Sequence, residues 1–178
     1  MNGLNLHFQR LQANDLHELM EISRSTYEIT FASANTPENM KAYLDRAFNE
    51  AQLAKELAEP ETEFYFAKAG EETLGYIKIN MGQAQTDLKE DEGLEVERVY
   101  VLHEHQGKKI GKSMLDFAIA TARERGKAYV WLGVWEHNKP ARAFYDRYGF
   151  REIGSHPFVM GDDVQTDFVL RLDLIHPE

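Results

Sequence analysis

The pattern of apolar and polar residues divides the chain into strand-like and helix-like segments. Alternating or β-branched apolar runs predict strands at residues 4–11, 64–68, 74–80, 94–101, 129–134, 150–158 and 165–172. Helical spacing predicts five helices. The first runs from a cap at Asn14 to a break at 33–35, and the second from the Thr36 cap and Pro37 to Phe48. The others cover 52–58, the stretch from the turn at 106–111 to Arg125, and the stretch from Asn138 to Tyr148. Residues 83–93 are polar and acidic and predict a loop. Leaving aside the short helix at 52–58, the predicted order is β-α-α-β-β-β-α-β-α-β-β.

The segment at 94–101, the helix after it and the segment at 129–134 form a strand–helix–strand unit. Such a crossover is right-handed and places its two strands parallel. Residues 129–134 are apolar on both faces, as a buried parallel strand requires. The other strands are linked by hairpins and are therefore antiparallel. The sequence predicts an α/β (α+β) fold, one domain over residues 1–178, with a mixed twisted sheet of about seven strands and helices on both faces.

Composition narrows the class of protein. The chain has 178 residues, 43% hydrophobic, which suits one globular domain. We expect a soluble, cytoplasmic protein, because the sequence contains neither a membrane-spanning apolar run nor a signal peptide, and there are no cysteines for disulfides. A net charge of −10 disfavours nucleic-acid binding and suits a cationic substrate. The seven histidines lack metal-ligand spacing, so no metal is expected. The oligomeric state stays open, with a homodimer as the commonest assembly.

The turn at residues 106–112, Gln-Gly-Lys-Lys-Ile-Gly-Lys, carries the first functional hypothesis. Unpaired backbone N–H groups and the helix dipole favour an anion at the start of a helix. Gly107 and Gly111 allow close approach of a ligand, and three lysines add positive charge. The pattern predicts a diphosphate-binding turn, although an ordinary loop has the same composition.

This turn and a second motif together resemble the GNAT superfamily of acyl-CoA-dependent N-acyltransferases. The first family motif runs Gln/Arg-x-x-Gly-x-Gly/Ala, and residues 106–111 depart from it once, at Lys109, where the first glycine usually stands. That departure costs little if Lys109 has helical φ and ψ. The second motif, Asn-x-x-Ala-x-x-Phe-Tyr-x-x-x-Gly-Phe, is matched at every position by residues 138–150.

Several further segments resemble the PaiA-type spermidine/spermine N-acetyltransferases. They are Thr30-Phe31, residues 35–40, 42–44, 94–98 and 131–136. The resemblance implies an acetyl-CoA-dependent N-acetyltransferase that acts on a small-molecule amine, most simply a polyamine. It implies that the following residues bind acetyl-CoA: Val99, Tyr100, Val101, Gln106, Gly107, Lys108, Lys109, Ile110, Gly111, Lys112, Asn138 and Tyr145.

The chemistry needs a base and an acid. A primary ammonium has a reference pKa of about 10.4, so a nearby carboxylate must remove its proton. Glu97 is the candidate base because its strand should lie beside the thioester; a surface glutamate paired with Arg98 is the alternative, and Glu95 is the reserve. Tyr145 is the candidate acid for the departing thiolate. Its alternative is a core aromatic, a role that Phe144 and Tyr148 fit better by spacing.

The acceptor site is predicted less directly. Tyr27, Glu28, Phe31 and Glu95 are its candidate residues, with core aromatics and solvated acids as the alternative reading. Further acids that could bind ammonium groups are Glu38, Asp162, Asp163 and Asp167. Two other functions stay open, a protein or peptide N-acetyltransferase and a catalytically idle acyl-CoA-binding sensor. The presence of both Tyr145 and Glu97 argues against the sensor.

Overall fold

The computed structural model describes residues 5–174, in which a seven-stranded sheet carries five helices. The predicted start of the first strand, Leu4, lies outside the described residues. The elements are β1 (Leu6–Arg10), α1 (Leu16–Phe31), α2 (Pro37–Ala47), α3 (Glu50–Ala58), β2 (Thr62–Ala69), β3 (Glu72–Asn80), β4 (Gly93–Val101), α4 (Ile110–Glu124), β5 (Tyr129–Trp135), α5 (Lys139–Tyr148), β6 (Arg151–Met160) and β7 (Asp163–Asp173). The predicted fold class is confirmed, and the short helix α3 completes the order.

The sheet has the strand order β1-β2-β3-β4-β5-β7-β6. β4 and β5 pair in parallel, as the crossover predicts, and the other neighbouring strands of the described chain pair antiparallel. The parallel pairing covers three residue pairs, from Gly93↔Tyr129 to Glu95↔Trp131. β4 then continues to Val101 and β5 to Trp135 without pairing to each other, so the two strands diverge.

A β-bulge lies in β4 where this divergence begins. Lys78 of β3 pairs with Arg98 and Ile79 pairs with Val96, which leaves Glu97 without a partner in the register. A bulge inserts one extra residue and bends its strand. Glu97 and Arg98 consequently point to the same side of the sheet, where Glu97 contacts Lys78 of β3 and Arg98 contacts Glu56 of α3.

Each face of the sheet has its own apolar core. On one face, α4 and α5 pack over β3, β4 and β5, with Met114, Leu115 and Leu132 at most 1% exposed. On the other face, α1, α2 and α3 cover β2 and β3, with Leu19, Leu53 and Phe66 fully buried. The two cores fix the helices on opposite sides of the diverging strands.

Helix ends follow the predicted capping residues in part. Thr36 accepts a hydrogen bond from Asn39 N, and Asn138 accepts one from Ala141 N, as predicted. The Asn14 cap is wrong: Asn14 lies inside a 3-10 turn at Ala13–Asp15, and the carboxylate of Asp15 accepts the bond from Gln12 N at 2.7 Å instead. Asn49, three residues before the predicted start, caps α3.

Candidate active site

A cleft of about 1380 Å³ opens where β4 and β5 diverge. Its walls come from both halves of the sheet, from the start of α4, from α5 and from α1. The strands that part there leave backbone N–H and C=O groups without a strand partner on the facing edges, and such groups bind an extended ligand as a further strand would. One end of the cleft lies at the glycine-rich turn, and the other lies among aromatic and acidic side chains.

The glycine-rich turn borders the cleft with most of its predicted residues. Gln106, Gly107, Lys109, Ile110, Gly111 and Lys112 line the cleft, together with Val99, Tyr100 and Val101 of the diverging strand. The first N–H groups of α4 have no carbonyl one turn earlier to pair with. Lys108 is absent from the lining, and its Nζ lies 3.1 Å from His105 Nδ1. The structure thus brings eleven of the twelve predicted cofactor residues to one cleft, since Asn138 and Tyr145 line it too.

Lys109, which stands where the family motif usually has a glycine, does not have the helical φ and ψ at which that departure would carry little conformational cost. It is the N-cap of α4 with φ 63° and ψ 16°, the left-handed region that glycine adopts most easily. A non-glycine residue held there costs roughly 1–2 kcal/mol. The turn therefore keeps the shape of a glycine turn, with a lysine side chain directed from it.

Tyr145 is the most buried residue of α5, at 8% exposure, whereas Phe144 and Tyr148 are half-buried. This reverses the prediction that Phe144 and Tyr148 fit the core better. Tyr145 nevertheless lines the cleft, and its hydroxyl has no hydrogen-bond partner among the described residues. Burial raises the pKa of Tyr145 to about 12, so the hydroxyl keeps its proton at neutral pH.

Glu95 and Glu97 both line the cleft, and the side chain of Asn80 joins them. Asn80 Nδ2 donates to Glu95 Oε2 at 2.9 Å and to Glu97 Oε2 at 2.6 Å. Glu97 also contacts two cations, Lys78 Nζ at 2.5 Å and Arg98 at 3.3 Å. The predicted alternative for Glu97, pairing with Arg98, is therefore present in the structure.

Glu95 has a different environment from Glu97. It is 2% exposed and accepts bonds from the backbone N of Thr86, at 2.8 Å, and from the Thr86 hydroxyl. Burial, reinforced by the negative charge of Glu97, raises the pKa of Glu95. Thr86 belongs to the loop between β3 and β4, so that loop closes over the carboxylate.

The acceptor end of the cleft has aromatic walls. Tyr27 stacks on Tyr43 with ring centroids 4.5 Å apart and contacts Phe31 at 4.6 Å. Phe31 in turn meets Trp135 of β5 edge-on at 6.2 Å. The predicted residues Tyr27 and Phe31 are thus brought to the cleft, and sequence reasoning missed Tyr43 and Trp135 as site residues.

Of the predicted acids, the structure brings Asp167 and Glu95 to the cleft. Glu28 and Glu38 are exposed and lie outside its lining, because α1 and α2 direct them away from the sheet. Asp162 and Asp163 lie at the exposed hairpin turn, where they bond Asn39 and Gln165. These four residues are not brought to the site.

Two absences complete the description of residues 5–174. Within that range no helix is long and apolar enough to cross a membrane. Over the same residues, no group of three or more histidine, aspartate and glutamate side chains is arranged to hold a metal ion.

The chain belongs to the acetyltransferase (GNAT) family, whose model matches residues 16–150. It has the acetyl-CoA-binding fold of that family, and it is an N-acetyltransferase.

Two relatives and one solved structure illustrate the match. A protein of Lactobacillus delbrueckii subsp. lactis, named "Uncharacterized N-acetyltransferase in pepI 3'region", is 41% identical over 93% of this chain and 96% of its own length. The spermidine N(1)-acetyltransferase of Thermoplasma acidophilum is 23% identical over 83% of this chain and 89% of its own. The crystal structure of the PaiA N-acetyltransferase from Thermoplasma acidophilum in complex with coenzyme A has a TM-score of 0.79, at 22% identity, over 96% of this chain and 99% of that one.

Proposed function

We propose that this enzyme transfers the acetyl group of acetyl-CoA to a primary amine of a polyamine such as spermidine or spermine. The carrying observation is one continuous cleft that holds the glycine-rich turn, Tyr145, the Glu95–Glu97 pair and an aromatic, acidic acceptor end. The relative named for spermidine N(1)-acetylation supports the choice of amine. Acetyl-CoA would lie along the diverging strands, with its diphosphate at residues 106–112, and supplies the thioester that the amine attacks.

Proton removal from the amine is assigned to the Glu95–Glu97 pair, and the geometry reverses the order in which the sequence ranks them. Glu97 contacts Lys78 and Arg98, which compensate its charge and hold it in place. Glu95 is buried with a raised pKa, and a stronger base is better matched to a proton that must leave near neutral pH. We place Glu95 first as the base, with Glu97 as its alternative.

Tyr145 is assigned the proton that the departing thiolate takes up. Its pKa of about 12 keeps the hydroxyl protonated, and no neighbour among the described residues competes for that proton. Asn138, whose Oδ1 caps α5 at Ala141 N, fixes the start of the helix that carries Tyr145. The N–H groups of Val99 and Val101, which face the open edge of β4, would bind the cofactor arm and the developing oxyanion.

An amine panel tests the proposal. Purified enzyme is incubated with acetyl-CoA and spermine, spermidine, a monoamine or a peptide with a free N-terminus, and the release of free thiol is followed. Each shielded charge-assisted contact is worth roughly 1.5–3 kcal/mol, so two contacts favour a polyamine by a factor of hundreds or more. Added salt should narrow this preference by screening.

The outcomes separate the competing functions. A peptide that outperforms spermidine at low salt would support a protein N-acetyltransferase and reject the polyamine. Tight acetyl-CoA binding without thiol release for any acceptor would support the idle sensor. A monoamine equal to spermidine would leave acetyl transfer in place and remove polyamine recognition.

A further inference from the structure

Gly133 is an exposed residue within an otherwise buried stretch of β5. Its neighbours Leu132 and Val134 are 1% and 6% exposed, and they point to the opposite face, into the core beneath α4 and α5. Gly133 lines the cleft, and a Cβ at this position would meet Asp167 Oδ2 and His156 Cε1, each at 3.9 Å. Gly133 therefore forms an open part of the cleft surface, called the floor below, and the side chains of Asp167 on β7 and His156 on β6 extend over it.

Asp167 is a shielded carboxylate that accepts no hydrogen bond from residues 5–174. Its side chain is 22% exposed, and the ring of His156 lies beside it, with Nε2 3.9 Å from Asp167 Oδ2. Burial raises the pKa of Asp167, against the opposing effect of His156, and Glu136 adds to the rise. Removing a carboxylate from water without a partner is costly, so this position favours a bound cation.

The aromatic ring of Trp135 lies next to Asp167 in the cleft. Asp167 and Trp135 are partners in the β5–β7 register, and both line the cleft. The face of a tryptophan ring attracts an ammonium group, and alkyl chains pack well against it. Trp135 Nε1 is buried without an acceptor among the described residues.

Glu95 and Asp167 lie on opposite sides of β5. Glu95 is on β4 and Asp167 on β7, and both strands pair with β5. The loop between β3 and β4 contacts Glu95 directly, through Thr86, and reaches the neighbour of Asp167, because Asp87 Oδ2 lies 3.2 Å from His156 Nδ1. Glu95 is paired with Trp131 and Asp167 with Trp135, four residues further along β5. Two strand spacings of about 4.8 Å and about 13 Å along the strand place the two backbones roughly 16 Å apart, a distance on the scale of an extended polyamine.

We infer that Asp167, above the open floor at Gly133, binds the second ammonium of an acceptor whose reacting amine lies at Glu95. The enzyme thereby selects polyamines and long diamines by the spacing of their charges. This inference rests on the proposed amine acetyltransferase function. His156 and Asp87 position Asp167 and close the far side of the subsite.

The first test compares a diamine with a monoamine of the same chain length. Asp167→Asn keeps the size of the side chain and removes its charge. It should lower kcat/KM for the diamine by about 10–150-fold, the range of one charge-assisted bond, and change the monoamine less than about threefold. Asp173→Asn is the matched control, because Asp173 is on the same strand with a 74% exposed side chain that pairs with Arg171 outside the cleft lining. An unchanged diamine-to-monoamine ratio in Asp167→Asn would overturn the subsite.

The second test fills the floor. Gly133→Ala adds a methyl group in ordinary van der Waals contact, so the fold should be unaffected. We expect a raised KM for the diamine and an unchanged KM for acetyl-CoA. An unchanged KM for the diamine would show that the floor is not part of the acceptor site.

Calorimetric titration of the diamine into the CoA-bound protein separates failure of the subsite from failure of the proposed function. Binding by the wild type and its loss in Asp167→Asn would support the subsite even if no acetyl transfer occurs. Acetyl transfer to other amines without any diamine binding would reject the subsite and keep the enzyme function.

Discussion

Replacing Tyr145 by phenylalanine deletes one hydroxyl from the cleft and retains the ring. The ring packs edge-on against Phe144 and Phe150, with centroids 5.4 and 5.7 Å away, and these contacts survive the substitution. The hydroxyl bonds to nothing else in the described chain, so its removal leaves no unsatisfied partner. We therefore expect the free energy of unfolding to change by less than about 0.5 kcal/mol.

The catalytic effect should be far larger than the effect on stability. General acid catalysis contributes roughly 10²–10⁴-fold, equivalent to about 2.7–5.4 kcal/mol of transition-state stabilisation. We expect kcat to fall within that range and KM for acetyl-CoA to change little. Because the pKa of Tyr145 is about 12, the hydroxyl stays protonated from pH 7 to 10, and the deficit should be constant over that interval.

The assay is thiol release under saturating acetyl-CoA, combined with chemical denaturation of the same samples. Tyr65→Phe is the control, because burial also raises the pKa of Tyr65 to about 12 while its hydroxyl donates to Glu63, outside the cleft lining. An unaltered kcat in Tyr145→Phe, with rapid-quench data showing that product release is not limiting, would refute the acid assignment. So would a loss of stability large enough to account for the loss of rate.

Three further substitutions test other parts of the site. Burial raises the folded pKa of Glu95 above its unfolded value, so the ionised Glu95 lowers the stability of the wild type as pH rises through that interval. The melting temperature of Glu95→Gln relative to wild type should therefore increase from pH 4 to 8, and a pH-independent difference would contradict the shift. Gly111→Asp should weaken acetyl-CoA binding in calorimetry, because it places a negative charge and a side chain at the proposed diphosphate position. The protein should stay folded, since a Cβ at residue 111 meets only Val101 Cγ2, at 3.8 Å. An unchanged affinity would show that the diphosphate does not bind at this turn. Lys109→Gly removes the strain of a left-handed non-glycine residue, worth roughly 1–2 kcal/mol, but increases the entropy of the unfolded chain, which costs roughly 0.5–1 kcal/mol. Chemical denaturation should therefore show a free energy of unfolding that is higher by about 0.5–1 kcal/mol. A lower free energy of unfolding would argue against strain at Lys109.

The parts of the site that the sequence predicted are local. The glycine-rich turn and the Asn138 cap each depend on a few consecutive residues, and hydrogen bonds within one turn determine their geometry. The parallel pairing of β4 with β5 follows from the crossover rule, and the β2–β3 and β6–β7 hairpins follow from their short turns, whereas the position of β7 between β5 and β6 was not predicted. Local patterns therefore carry the fold and the cofactor end of the cleft.

The parts that the sequence did not predict depend on register and on distant contacts. The bulge at Glu97 exists only relative to β3, since a single strand gives no sign of which residue lacks a partner. Lys78 and Glu97 are brought together by that register, and His156 meets Asp87 across 69 positions of sequence. The left-handed Lys109 was missed because its residue type favours a helix.

The three-pair junction between β4 and β5 has a consequence for the stability of the whole chain. It joins a four-stranded half of the sheet to a three-stranded half, and beyond Glu95 the backbone hydrogen bonds that would extend it are missing. A pantetheine arm lying in the gap would act as an extra strand and bridge the halves. The amides of Val99 and Val101 face the gap, since they alternate with the Leu102 amide that donates to Leu74 O of β3. These two amide hydrogens should therefore exchange rapidly with deuterated solvent in the free protein and slowly once acetyl-CoA is bound. Ligand at 100 times its Kd adds about 2.7 kcal/mol to the folded state, so we expect resistance to proteolysis to rise with the supply of acetyl-CoA.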